Sequence, residues 1–253
     1  MEREAALDIQ RRSLMGFARV LGSGDSGSRV WGRDGVVASV VPAVPHRSIV
    51  NSVAYRDPES LSAALEGLAT TYDEAGVSAW TVWVPEDDHD VARMLASAGH
   101  VLDAQPTAMI AELATLATPD GDGLDWDAEA DPAELGRIND LAYGWPEGTF
   151  GGAIGLFGEI DGLRIYRARA GGEPVCVVGT YDEGDDLSVY FVATLPEHRG
   201  RGLARRLLHL ALAEARERGM ATSSLQSTKM GYPVYERLGY EPICRLQMWE
   251  RRK

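Results

Sequence analysis

The residues of this 253-residue chain best suited to chemistry lie between Phe191 and Arg206, in FVATLPEHRGRGLARR. Phe191, Val192 and Thr194 have strand character, and Pro196 lacks the donor that would carry a ladder further. Gly200 and Gly202 allow turns closed to other residues and let a ligand approach the backbone. Leu203, Leu207, Leu210 and Ala211 then recur at helical spacing, which predicts a helix from near Gly202 to Gly219. A helix start presents unpaired N–H groups and partial positive charge, so it suits a phosphate group. Arg199 and Arg201 add formal charge there. Arg205 and Arg206 complete a basic knot, and a solvated helix face also accounts for these two. The loop is not a Walker loop, because no Gly-Lys-Ser/Thr follows. Nor is it a dinucleotide fingerprint, because it reads RGRGLA rather than GxGxxG.

Arg199-Gly200-Arg201-Gly202-Leu203-Ala204 resembles the acyl-CoA pyrophosphate loop of the GNAT N-acetyltransferase superfamily, R/Q-x-x-G-x-G/A. The family closes with Tyr-x-x-x-Gly-aromatic, and here Tyr235-Glu-Arg-Leu-Gly239-Tyr240 stands in order after the loop. The resemblance covers the second half of the chain. It implies an acetyl-CoA-dependent N-acetyltransferase, with acetyl-CoA as co-substrate and no metal. Backbone groups of Arg199, Gly200, Arg201, Gly202, Leu203 and Ala204 are expected on the pyrophosphate. Those of Val192 and Thr194 are expected on the pantetheine arm, with an N–H near Val192 polarising the thioester. Tyr235 is the implied general acid. A phenol with a pKa near 10 is protonated at neutral pH, and the leaving thiolate is comparably basic. A tyrosine packing helix on sheet is the other reading of Tyr235. Thr228 stands where many members carry asparagine and is a weaker pantetheine contact, and Pro233 is unusual in that segment.

The elements that must position these groups are legible upstream. Asp131-Pro132 starts a helix through Tyr143. A glycine-rich stretch, 144–158, carries Trp145, Phe150 and Phe157. By analogy with the family these aromatics are acceptor contacts, and packing explains each singly as well. Strands over Leu163–Ala170, Pro174–Tyr181 and Leu187–Thr194 form a meander into the loop. The turn between the last two holds Asp182, Glu183, Asp185 and Asp186, read as a solvated turn rather than as a base. No general base is identified.

The first half repeats this plan. Helices are predicted over 2–20, 58–76 and 91–98, the last capped by Asp90. Strands are predicted over 30–41 (a hairpin), 49–55, 78–84 and 109–113. VAYRDP at Val53–Pro58 parallels FVATLP, Leu65–Gly76 parallels Leu208–Gly219, and Leu95 to His100 parallels Tyr235 to Tyr240. After Pro58 the first copy reads ESLSAA, with neither glycine nor arginine, and Leu95 replaces the tyrosine. The expected organisation is therefore α/β (α+β), two GNAT-like domains, each a mostly antiparallel mixed sheet flanked by helices. Residues 1–118 would be a degenerate copy without the loop, covering a face of the second and shaping its acceptor pocket. Residues 119–253 would carry the one acyl-CoA site, and TPDGDGLD at 118–125 marks the boundary.

A net charge of −13 argues against nucleic-acid binding and agrees with a cationic acceptor. Two cysteines, Cys176 and Cys244, supply neither a disulfide framework nor a structural zinc site. Asp87-Asp-His89-Asp90 reads as a helix cap rather than a metal site. No apolar run has the length of a signal peptide or a membrane span, so a cytoplasmic protein without membrane partners is expected. The acceptor would be a small-molecule amine or a protein amino group, and the protein a monomer or homodimer. Two other readings stand beside this one. One is a non-catalytic acyl-CoA-binding or sensing module; the other is acyl transfer to a hydroxyl on the same scaffold.

Overall fold

The computed structural model describes residues 1–24, 27–117, 123–146, 148–149, 151–154 and 160–253. It divides into two compact units, Met1–Ala108 with Ile243–Lys253, and Met109–Pro242.

In chain order the first unit holds α1 (Arg3–Gly22), β1 (Arg29–Arg33), β2 (Val36–Val40), β3 (Ser52–Tyr55), α2 (Pro58–Glu74), β4 (Ala79–Pro85), α3 (His89–Ser97) and β5 (Val101–Ala104). β6 (Thr107–Glu112) passes into the second unit. There follow β7 (Trp126–Asp127), α4 (Pro132–Tyr143), α5 (Gly151–Ile154), β8 (Leu163–Ala170), β9 (Glu173–Glu183), β10 (Asp186–Thr194), α6 (Leu203–Glu217), β11 (Thr222–Ser227) and α7 (Tyr232–Glu236). The last strand is β12 (Glu241–Arg252).

In the first unit β1, β2 and β3 run antiparallel, and β3 pairs parallel with β4 through the α2 crossover. Asp57 caps α2: one carboxylate oxygen accepts from the Ser60 N–H and the other from its hydroxyl, both at 2.8 Å. Leu61, Ala64, Leu68 and Tyr72 form the buried face of α2. The Tyr72 ring stacks on Trp80 at 4.8 Å, and its hydroxyl donates to the Ser39 carbonyl. Asp90, expected as the cap of α3, lies in its first turn; Asp88 holds the cap position. Asp87 pairs with Arg3 and Asp90 with Arg93, while Asp88 accepts from the Tyr55 hydroxyl at 2.7 Å. Among the described residues no helix is long and apolar enough to cross a membrane.

The second unit follows the same order. β8, β9 and β10 are antiparallel, and β10 pairs parallel with β11 through α6. α6 buries Leu207, Leu208, Ala211, Leu212 and Ala215 on the sheet, with roughly 1.5–3 kcal/mol per fully buried leucine holding it there. The Tyr166 hydroxyl on β8 donates to Glu214 of α6 at 2.9 Å. The repeat seen in sequence is thus also a repeat of topology: antiparallel meander, crossover helix, parallel strand, short helix.

The unit boundaries differ from the expected cut at 118/119, a place outside the described residues. Residues 109–117 belong with the second unit, and Ile243–Lys253 with the first. Strand pairing is the reason. β12 runs antiparallel to β4 from Leu246 opposite Pro85 to Arg252 opposite Ala79, and it also pairs with β5. Glycine and acid content mark a loop, but they say nothing about which sheet a distant strand joins.

Candidate active site

The site begins where two strands part. Asp186, Leu187 and Ser188 of β10 stand opposite Thr222, Ser223 and Ser224 of β11. The ladder stops there, although β10 continues to Thr194 and β11 to Ser227. The closed end of this V is stitched by buried hydroxyls. Asp186, 1% exposed, accepts from Thr222 at 2.8 Å, Ser224 at 2.6 Å and Ser188 at 3.2 Å. On the other face the Ser223 hydroxyl donates to the Leu187 carbonyl and meets the Tyr240 hydroxyl, each at 2.7 Å. Asp186 is therefore no part of a solvated turn. Its neighbour Asp182 is engaged as well, paired with Arg164 at 2.9 Å and Arg218 at 3.1 Å.

Beyond the stitch β10 bulges. Tyr190 pairs with Gly179 and Ala193 with Val177, so Phe191 and Val192 together oppose Val178. Phe191 takes φ 54°, the only non-glycine with positive φ among the described residues. Such a conformation costs about 1–2 kcal/mol and takes peptide groups off the ladder. The bulge therefore interrupts the β9–β10 register at the mouth of the V.

A single 3-10 turn, Pro196–His198, leads into the glycine loop. Gly200 and Gly202 have φ of 74° and 73°, and an added Cβ at either would meet nothing within 4 Å. Backbone sign, not crowding, requires glycine here. The first hydrogen bond of α6 runs from the Arg206 N–H to the Gly202 carbonyl, leaving the N–H groups of Leu203, Ala204 and Arg205 ahead of it. Arg199 behaves differently from the rest of the motif. Its N–H donates to the Pro196 carbonyl, and its guanidinium donates to the carbonyls of Thr194, at 3.1 Å, and Ala142. The Arg201 guanidinium donates to the Glu197 carbonyl at 3.3 Å.

Tyr235 lies on α7, 9% exposed, its ring edge-on to Tyr240 at 5.9 Å. Gly231 backs the ring: a Cβ there would come within 2.8 Å of Tyr235 Cε2. Among the described residues the Tyr235 hydroxyl makes no hydrogen bond. Burial raises its pKa, with Tyr143 and Cys176 adding to the rise, so it carries its proton at neutral pH. Cys176 is buried, accepts from the Thr194 hydroxyl at 3.2 Å and is pushed up to about 11 by burial. It is a neutral thiol rather than a nucleophile. Thr228 is committed to local structure: its side chain accepts from the Gly231 N–H at 3.2 Å and its carbonyl from Tyr232, which opens α7. Pro233 fits that first turn.

On the near side, α4 ends with a stacked pair, Tyr143 and Trp145, ring centroids 5.5 Å apart. Tyr143 is 44% exposed, and the Arg199 charge acts on its hydroxyl against the effect of burial. Buried Asp140 accepts from the Gly151 N–H at 3.0 Å, tying α4 to α5 where Gly136 and Gly151 approach too closely for any side chain. Phe150 and Phe157 lie outside the described residues. The structure thus brings Thr194, the loop, Tyr235 and Tyr143 to one end of the sheet. The hydroxyl stitch and the reach of Arg199 escaped sequence reasoning. The one available signal for the stitch was the hydroxyl run in TSSLQS, a strand otherwise poor in apolar residues.

An antiparallel meander, a bulged strand parting from its parallel neighbour and a glycine loop opening a helix give the second unit a GNAT-like fold. Residues 187–243 match the family model of the acetyltransferase (GNAT) domain. An uncharacterized N-acetyltransferase of Streptomyces griseus is 35% identical over 89 residues, which is 35% of this chain and 21% of that relative. The chain thus aligns with about a fifth of the relative's length. A GCN5-related N-acetyltransferase from Kribbella flavida superposes with a TM-score of 0.69 at 19% identity, covering 98% of this chain and 95% of that one. A tandem GNAT protein from the clavulanic acid biosynthesis pathway gives 0.57 at 15% identity, covering 100% and 97%. At such identities these two likenesses concern the fold, including the paired-unit plan.

Proposed function

We propose that the second unit transfers an acetyl group from acetyl-CoA to an amine by direct attack on the thioester. The observation that carries this reading is the V between β10 and β11. It has a bulge at Phe191–Val192 on one arm and the α6 N-terminus at its mouth. Donors of residues 200–205 would take the diphosphate, helped by the positive end of α6. The pantetheine arm would lie along β10 past Val192 and Thr194 as an added strand. An N–H near Val192 would stabilise the oxyanion, and holding both reactants in one cleft supplies much of the rate. Tyr235, protonated and without a hydrogen-bond partner among the described residues, would return a proton to the departing thiolate. No carboxylate named above is placed as the base.

The chemistry of the first unit supports confining this role to the second. Where α6 begins with bare N–H groups, α2 begins with the Asp57 carboxylate already on Ser60, an anion in the place of a phosphate. The test follows thiol release from acetyl-CoA with tyramine, spermidine, glucosamine and a peptide N-terminus as acceptors, beside calorimetry of acetyl-CoA binding. Release above the uncatalysed rate supports transfer. Tight binding without release from any acceptor supports the sensing module instead.

A further inference from the structure

We infer that Arg199, the first residue of the loop motif, is a positioning residue that locks the acceptor-side helix to the donor strand rather than a ligand of the diphosphate. The inference rests on the acetyltransferase reading for its functional meaning, but its geometry stands alone. The guanidinium donates to two carbonyls from different elements. One, Ala142, lies in the last turn of α4, where carbonyls lack helical partners. The other, Thr194, ends β10. The Arg199 N–H is already held by Pro196. The Arg199 N–H, its Nε and one Nη are thus each engaged by a carbonyl, whereas the donors of the α6 N-terminus stand open. A cation at the carbonyl end of α4 is also favoured by the helix dipole.

The consequence falls on the residues just beyond Ala142. Tyr143 and Trp145 stack at the end of α4, and the Trp145 N–H is fixed to the Asp140 carbonyl at 2.9 Å. Arg199 holds the peptide from which this pair projects, so the acceptor wall and the donor strand keep one spacing. Only a planar fork spans two carbonyls in this way; a lysine ammonium is a point charge on a flexible stem.

The experiment compares wild type, Arg199→Lys and Arg199→Met by hydrogen exchange with mass spectrometry and by calorimetry of acetyl-CoA at two salt concentrations. In both variants exchange over 141–146 should rise about tenfold while 222–227 stays unchanged. The acetyl-CoA Kd should remain within about threefold of wild type with the same salt slope. With whichever of tyramine, spermidine and glucosamine reacts fastest, the amine KM should rise about tenfold at unchanged kcat and unchanged acetyl-CoA KM. Weakening of acetyl-CoA by tenfold or more with a shallower salt slope would overturn the inference in favour of a direct phosphate contact. Unchanged exchange over 141–146, or a rise spread over the whole second unit, would overturn it too. A wild type that binds no acetyl-CoA sinks the acetyltransferase reading alone, because the exchange arm still decides the lock.

Discussion

Tyr235 joins two demands that rarely meet in one side chain. Its ring is buried between Gly231 and Tyr240, yet its hydroxyl has no partner among the described residues. A buried phenol with only a structural task usually finds an acceptor, as Tyr72 does on Ser39 and Tyr166 on Glu214. Tyr235→Phe should therefore leave the thermal midpoint and acetyl-CoA affinity nearly unchanged and lower kcat about 100-fold or more. Loss of stability at unchanged turnover would make the residue a packing element. The Tyr235 and glycine positions were readable from sequence because the motif spacing gives them away. Arg199 was readable as a motif member but not as a lock, since its partner Ala142 contributes only a carbonyl, which no residue type announces. The part Thr228 plays in the turn that starts α7 was hidden for a similar reason, since its partner there is the Gly231 N–H.

At the scale of elements, the V depends on the stitch that closes it. Asp186→Ala would leave the Thr222, Ser224 and Ser188 hydroxyls without their acceptor in a buried place. A loss on the order of 3 kcal/mol is expected in urea unfolding, with faster exchange over 186–188 and 222–224 as its local mark. The first unit has its own sensitive junction, between α3 and β5. His100 is 3% exposed, edge-on to Trp80, with neither ring nitrogen bonded among the described residues, and burial lowers its pKa to about 4. The unfolded chain, with the ordinary value near 6.5, takes up the proton first as pH falls. Stability is then full above about 6.5 and declines toward pH 4, by a limit of about 3 kcal/mol. His100→Phe should flatten that part of the profile; an unchanged slope would assign acid sensitivity to other groups. Helices, hairpin and meander were legible because apolar period and caps such as Asp57 and Asp131 are local signals. The bulge was not, because Phe191 adopts a positive φ that its side chain disfavours and that only the surrounding sheet imposes.

Across the whole molecule the repeat was legible but the parcelling of strands was not. Two similar units in one chain give a distant strand two similar sheets to join, and the choice rests on pairing with β4 and β5 rather than on anything within residues 243–253. Removing those residues should expose β4, with its row of buried Trp80, Val82 and Val84, and raise exchange over 79–85. Protection over 186–194 should survive the truncation, and an equal loss in both regions would show that the units unfold as one.

That parcelling has a temporal side. A chain leaves the ribosome from its first residue, and domains generally fold as they emerge. Here the unit that begins first needs residues made after the whole of the second, whereas Met109–Pro242 is continuous. The nascent first unit must wait with β4 unpaired on one side while its sibling, similar in topology, is finished behind it. The order of birth and the order of completion are therefore reversed, and slowing translation would prolong the wait rather than ease it.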